Sequence, residues 1–250
     1  MKFNLLIAPD FAPERFAGWH LLNTVLQKQT GLALHLLLPA SASEQAQLLA
    51  DGKVDVLYAN PFDAAELVRN DGYKAIARPV GKPDEMVIVT AASSPMGAVE
   101  DLKPGCRIAL TDNKDVKLIG LRLLEPADLT EADVQWQMVD TYQAAARMAI
   151  KGEVDASFFL AEAYHSLSRL TTGQLKPLIE SKLADITHVL LTHPRMAVED
   201  ASKLCQSLLD LTGSPEGQPV LDELGIPKGF EAMTEEDAEF MIDLMDTLLA

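Results

Sequence analysis

Gly52-Lys53-Val54-Asp55 and Gly152-Glu153-Val154-Asp155 are one signal, Gly-x-Val-Asp, written twice at a spacing of one hundred residues. Each copy stands after an Ala-rich amphipathic stretch, opened and filled by Ser43–Leu49 in the first case and Tyr142–Ile150 in the second. A glycine just past the last periodic position stops a helix, and the β-branched residue behind it starts a strand. Val54–Tyr58 and Val154–Phe158 therefore read as strands, each leading into an aromatic residue and a further helix. The echo predicts two halves of like topology.

Working outward, the same alternation fills most of the chain. Phe3–Ala8, Leu34–Leu38, Tyr73–Arg78 and Glu85–Thr90 read as strands before a Pro/Ser-rich joint at residues 93–96. Arg107–Leu110, Val134–Val139 and Thr187–Thr192 read as strands after it. Arg15–Thr30 has apolar residues at helical spacing and ends at Gly31, and Pro61 stands where a first-turn proline belongs. Val116–Leu124 and Leu160–Leu170 are further helices. Val198–Leu211, Gln218–Leu224 and Glu235–Leu249 make the C-terminal part helical. Strands alternating with helices predict an α/β protein with mainly parallel sheets flanked by helices. The last helices carry no strand of their own in this reading and need a sheet already built. The expected division is thus residues 1–89 with 187–250 as a discontinuous first lobe, and residues 90–186 as a second lobe inserted in it. Glu85–Thr90 and Thr187–Thr192 are the expected crossings, forming a hinge. In open α/β sheets ligands lie beyond the carboxyl ends of strands, near helix N-termini, which places the expected ligand in a cleft between the lobes.

Composition removes several classes of function. The 250 residues carry 21 basic and 37 acidic side chains, a formal net charge of −16. So acidic a chain repels phosphate backbones and anionic membrane surfaces, and no nucleic-acid partner is expected. No apolar run reaches 18 residues, so no membrane insertion is expected. Cys106 and Cys205 are too few for a disulfide framework or a Cys-rich metal site. The five histidines, at 20, 35, 165, 188 and 193, lack metal-ligand spacing. No glycine-rich phosphate loop, HExxH or GxSxG occurs. No catalytic group, metal or cofactor is expected. The apolar start Phe3–Ala8 is too short for a signal peptide, so the location is read as periplasmic if a signal was removed and cytoplasmic if Met1 is the native start.

The chain resembles the phosphate/phosphite/phosphonate-type periplasmic binding proteins of the type II solute-binding superfamily. The resemblance is carried by Val54-Asp55-Val56-Leu57-Tyr58-Ala59-Asn60-Pro61 and by Asp101-Leu102-Lys103-Pro104-Gly105-Cys106-Arg107-Ile108-Ala109-Leu110. Tyr142-Gln143-Ala144-Ala145, the second Gly-x-Val-Asp and Leu178-Ile179-Glu180-Ser181 complete the ordered set, over roughly residues 3–230. It implies a two-lobed, non-enzymatic, monomeric protein that binds a small polar anion and passes it to an ABC permease or reports it to a sensor protein. The family holds its oxyanion on a Ser/Thr-rich turn, which here reads Thr111-Asp112-Asn113-Lys114-Asp115. Two carboxylates there repel a dianion, while Thr111 and Lys114 still suit an anion. The family histidine falls on Tyr142, and the glycine before its proline is Asn60. Glu162 matches an acidic position that meets the amine of some phosphonate ligands.

The candidate ligand residues are Asp10, Phe11, Ser41, Tyr58, Asn60, Thr111, Asp112, Asn113, Lys114, Tyr142, Phe159, Glu162 and Ser181. Most have an ordinary structural reading beside the functional one. Ser41 and Asn60 suit helix caps, Tyr58 and Phe159 suit a core, and the turn after Leu110 suits a capped helix start. Two other functions stay open on the residues alone. One is a cytoplasmic enzyme on the same fold, like those of pyrimidine-precursor or menaquinone biosynthesis. The other is a ligand-sensing partner of a signalling protein. The identity of the ligand is open as well.

Overall fold

The two Gly-x-Val-Asp segments adopt the same local structure. In a computed structural model, which describes residues 2–9, 11 and 15–249, Gly52 and Gly152 both take left-handed backbone, with φ of 65° and 70°. A side chain with a Cβ is strained there. Val54 and Val154 plug the adjoining cores. Asp55 then exchanges two hydrogen bonds with one residue of a neighbouring strand: its amide donates to the Asn4 carbonyl (3.1 Å), and its carboxylate accepts from the Asn4 amide (2.8 Å). Asp155 repeats the exchange with Arg107, at 2.8 Å and 2.8 Å. Each aspartate also holds a guanidinium, Arg195 for Asp55 (2.7 Å) and Arg107 for Asp155 (3.3 Å).

Around these turns the chain runs β1 (Lys2–Ile7), α1 (Phe16–Thr30), β2 (Ala33–Leu37), α2 (Ala42–Ala50), β3 (Val56–Ala59), α3 (Pro61–Asp71), β4 (Lys74–Pro79), β5 (Met86–Ala91), β6 (Arg107–Leu110), α4 (Lys114–Leu123), β7 (Gln135–Met138) and α5 (Tyr142–Lys151). It continues through β8 (Ala156–Leu160), α6 (Ala161–Ser166), α7 (Arg169–Thr172), β9 (Leu175–Glu180), β10 (Val189–Thr192), α8 (Val198–Leu209), α9 (Gly217–Leu224), β11 (Phe230–Ala232) and α10 (Glu235–Leu249). Two compact units result, residues 1–83 with 185–245, and residues 84–184 with 246–250.

The first unit holds a six-stranded sheet, β11-β4-β10-β3-β1-β2, and the second a five-stranded sheet, β7-β6-β8-β5-β9. Their orders match, with β1 equivalent to β6, β2 to β7, β3 to β8, β10 to β5 and β4 to β9. Each sheet is covered on both faces by helices, with apolar clusters on either side. In the first unit α1 packs on α9 so closely that a Cβ at Gly18 would lie 3.0 Å from the Leu224 side chain. In the second, α4 lies against β8, and a Cβ at Gly120 would fall 2.2 Å from the Phe158 ring.

Several local expectations change. Both sheets include reversed strands: β1, β2, β3 and β4 run one way with β10 and β11 against them, and β6, β7, β8 and β9 run one way with β5 against them. Alternation of strand and helix is equally compatible with a returning strand, so it does not report direction. β5 and β10 are not shared crossings; β5 pairs with β8 and β9, and β10 with β3 and β4. The C-terminal region is not wholly helical, because β11 adds an edge strand to β4. The helix expected over Leu160–Leu170 breaks at Leu167, which is extended, and Ser168 caps a new turn by accepting from the Thr171 amide at 3.2 Å.

Candidate functional site

In the second unit the candidates gather on turns where strands hand over to helices. β6 ends at Leu110, and the next three residues lead into α4. Asn113 is the N-cap; its Oδ1 accepts from the Val116 amide at 3.0 Å, while its own amide donates to the Thr111 carbonyl at 2.8 Å. This tight turn folds Thr111 inward. Its hydroxyl is buried and has no hydrogen-bond partner among the described residues. Asp112 and Lys114 are exposed, whereas Asp115 is buried in the first turn of α4. A buried hydroxyl at a helix start, where the macrodipole favours negative charge, suits an anion.

The start of α5 lies beside another candidate pair. Thr141 caps the helix by accepting from the Ala144 amide at 3.1 Å, and Tyr142 stacks on Phe159 with ring centroids 5.5 Å apart. Phe159 is wholly buried and has Tyr164 against its edge. Of this pair, therefore, Tyr142 is the half-exposed member. Burial pushes the Tyr164 phenol up, with Glu180 adding to the effect. Glu162 is exposed in the first turn of α6. Ser181 has a different use: its hydroxyl donates to the Glu85 carboxylate and accepts from the Met86 amide at 2.9 Å. The same carboxylate accepts from the amides of Leu183 and Ala184 (3.2 Å).

In the first unit, Ser41 and Asn60 serve as caps. Ser41 Oγ accepts from the Glu44 amide at 3.2 Å, and Asn60 Oδ1 from the Asp63 amide at 2.8 Å. Tyr58 is 1% exposed, at the centre of an aromatic cluster. Phe11 stacks on it at 5.6 Å, His188 stacks at 5.3 Å, and Trp19 tilts against it at 4.8 Å. Asp10 lies outside the described residues. Trp19 and His188 escaped the sequence reading, because each is isolated in sequence and joins Tyr58 only through the fold. Beside the cluster, the carboxyl ends of β1 and β2 and the start of α1 form a pocket of about 170 Å3.

Among the described residues, no His, Cys, Asp and Glu side chains form a group of three that could hold a metal ion. Burial raises both cysteine thiols above their ordinary value, against the needs of a nucleophile. No described helix is long and apolar enough to cross a membrane.

Comparison with known proteins places the chain in a family. The family described as ABC transporter, phosphonate, periplasmic substrate-binding protein matches residues 5–238. Among solved structures, a Prochlorococcus marinus protein, PhnD1, in complex with methylphosphonate superposes with a TM-score of 0.81 at 13% identity, covering 99% of this chain and 97% of that one. A Xanthomonas citri protein bound to a chloride ion gives 0.80 at 15% identity, covering 99% and 98%. The periplasmic aliphatic sulphonate binding protein of Escherichia coli gives 0.68 at 19% identity, covering 99% and 91%. These likenesses establish the α/β periplasmic-binding-protein fold. No curated protein sequence matches the chain. The family consists of transport substrate-binding proteins, normally periplasmic, and not of enzymes. By the match over residues 5–238, this chain belongs to the periplasmic substrate-binding proteins of phosphonate ABC transporters.

Proposed function

We propose that this chain binds one small singly charged oxyanion with a phosphorus or sulfur centre and, as a monomer in the periplasm, delivers it to an ABC permease. The observation that carries the reading is the buried, unpartnered hydroxyl of Thr111 at the start of α4. A buried donor without a partner is costly unless a ligand completes it. Lys114 adds positive charge to the same turn, and Tyr142 offers a ring face at the start of α5. Asp112 and Asp115 in that turn oppose a second negative charge, which favours a sulfonate or a phosphonate monoanion over a dianion. Glu162 would meet an amine on the ligand's organic part. The remaining candidates, Phe11, Ser41, Tyr58, Asn60, Asn113, Phe159 and Ser181, act as supports through their caps and packing.

A thermal-shift series with methylphosphonate, ethanesulfonate, phosphate and sulfate tests this. At least one singly charged anion should raise Tm by several degrees, since saturation at one hundred times Kd is worth about 2.7 kcal/mol. Thr111→Val should remove that response with little change in the unliganded Tm. No response to any anion, or an undiminished response in Thr111→Val, sinks the reading.

A further inference from the structure

The Arg195 guanidinium forms a latch over the first Gly-x-Val-Asp segment. Its Nε donates to Asp55 Oδ1 at 2.7 Å, its Nη1 to the Gly52 carbonyl at 2.8 Å and its Nη2 to the Val54 carbonyl at 2.9 Å. In the second unit the matching guanidinium belongs to Arg107, whose backbone already exchanges hydrogen bonds with Asp155. Arg195 instead reaches in from the turn after β10, and one side chain shapes that turn. The Arg195 amide donates to His193 Nδ1 at 3.0 Å, while the His193 amide donates to the Asp55 carbonyl at 2.8 Å. An accepting Nδ1 puts the neutral ring's single proton on Nε2.

The groups around this ring come from several elements. Tyr73, just before β4, meets it edge to face, with ring centroids 5.0 Å apart. Its phenol donates to the Val54 carbonyl at 3.1 Å and is pushed up to about 12 by burial, so it stays neutral. Burial and the Arg195 charge hold the imidazole below its ordinary 6.5, and Asp55 before β3 and Asp71 at the end of α3 oppose them. Lys53 and Lys74, which flank Asp55 and Tyr73 in sequence, pair with Asp51 and Glu235.

We propose that His193 is a proton-operated release for the Arg195 latch. A proton on Nδ1 turns the acceptor of the Arg195 amide into a donor and sets an imidazolium beside the guanidinium. The turn over residues 193–196 then opens, and Arg195 leaves Asp55, Gly52 and Val54. His193 is half-exposed and the Arg195 side chain 41% exposed, so protons and water reach both. A histidine held neutral by the fold adds stability above its ordinary value and loses it as pH falls toward the folded one. The latch is therefore shut above pH 6.5 and opens below it. This device lies at the amino ends of β3 and β4, whereas the anion reading uses the carboxyl end of β6, so the two stand apart.

The test titrates the full-length 15N-labelled protein downward from about pH 8 by NMR, with the Arg195 Nε–H resonance assigned by its loss in Arg195→Lys. Exchange of that proton with water should accelerate at least tenfold as the His193 ring signals titrate, although base-catalysed guanidinium exchange by itself slows over this range. His193→Asn supplies an acceptor that does not titrate, since asparagine side chains bond the backbone two residues on. It should keep the Nε–H protected throughout. Protection in the wild type that survives titration of the ring overturns the proposal. So does a ring that fails to titrate before the protein unfolds, or an unprotected Nε–H in His193→Asn at any pH of the series. A failed anion response is read separately, on Thr111→Val.

Discussion

The two units have one strand order and one Gly-x-Val-Asp device, yet they differ at the matched strand position. Tyr58 on β3 lies opposite Leu190 of β10, and Phe158 on β8 lies opposite Ile88 of β5. Tyr58 is surrounded by Phe11, Trp19, His188 and Phe230. Phe158 meets the edge of Trp136 and the bare backbone of Gly120. One unit fills the space over its central strand with a cluster of rings; the other brings a helix down onto a single ring. Topology is thus set by turn and strand signals that both halves share. The material above the sheet is set by residues that they do not share.

The largest expected effect breaks this contrast directly. Gly120→Ala pushes a methyl group into the Phe158 ring, where the nearest carbon would be 2.2 Å away. It should cost about 1–3 kcal/mol, the usual range for overpacking, read as a fall in the urea midpoint. Gly18→Ala, whose nearest contact is 3.0 Å from a leucine side chain end, should cost less. Equal costs would mean that the two helices sit equally tightly.

The aspartates provide the next comparison. The Asp55 side chain is 12% exposed beside Arg195, and the Asp155 side chain 38% beside Arg107. Asp55→Ala strands the half-buried amide of Asn4 and should cost about 1–3 kcal/mol. Asp155→Ala should cost less, since water replaces part of what is lost. Reversal of that order in denaturant melts would show that burial is not the deciding difference. Smaller again are the matched caps. Ser41→Ala and Thr141→Ala should each cost about 1 kcal/mol, as cap deletions do, and a markedly larger loss at Ser41 would point to a role beyond its own helix.

The smallest effect is one of pH. Burial works to raise the Asp155 carboxyl, but the Arg107 side-chain and amide hydrogen bonds outweigh it, and the group sits below its ordinary 3.8. A depressed carboxylate adds stability above the unfolded value and loses it as pH falls through the folded one. The stability gap between wild type and Asp155→Asn should therefore be full at pH 6 and close below about pH 3.8. A gap that stays constant in urea melts from pH 6 to pH 3 would remove the ion pair from the account.

Local signals are the most legible part of the sequence. Gly31, Gly52 and Gly152 stop helices or turn the chain as their positions suggest, and Pro61 follows the Asn60 cap. These need only neighbours in sequence. The reversed strands are not legible, because β10 and β5 occupy equivalent places in their sheets while standing at opposite ends of their units in chain order. β11 has three residues, too few to show a period. The site is less legible than the fold. Polar residues at helix starts stand out, but a capping oxygen and a ligand-binding oxygen look alike in sequence. Thr111 separates from Asn113 only when the structure shows which oxygen already has a partner. Trp19 and His188 required contacts spanning much of the chain.

Glu85 has a consequence for the ancestry of this architecture. It stands one residue after the second unit begins, and it accepts from Leu183 and Ala184 where residues 84–184 end. The segment thus carries its own clasp. A guest whose ends already meet can enter a host loop without prising that loop apart, and the end of α10 returns to complete this guest, with Leu248 packed on its core and the Leu248 carbonyl accepting from Arg122 Nε at 2.7 Å.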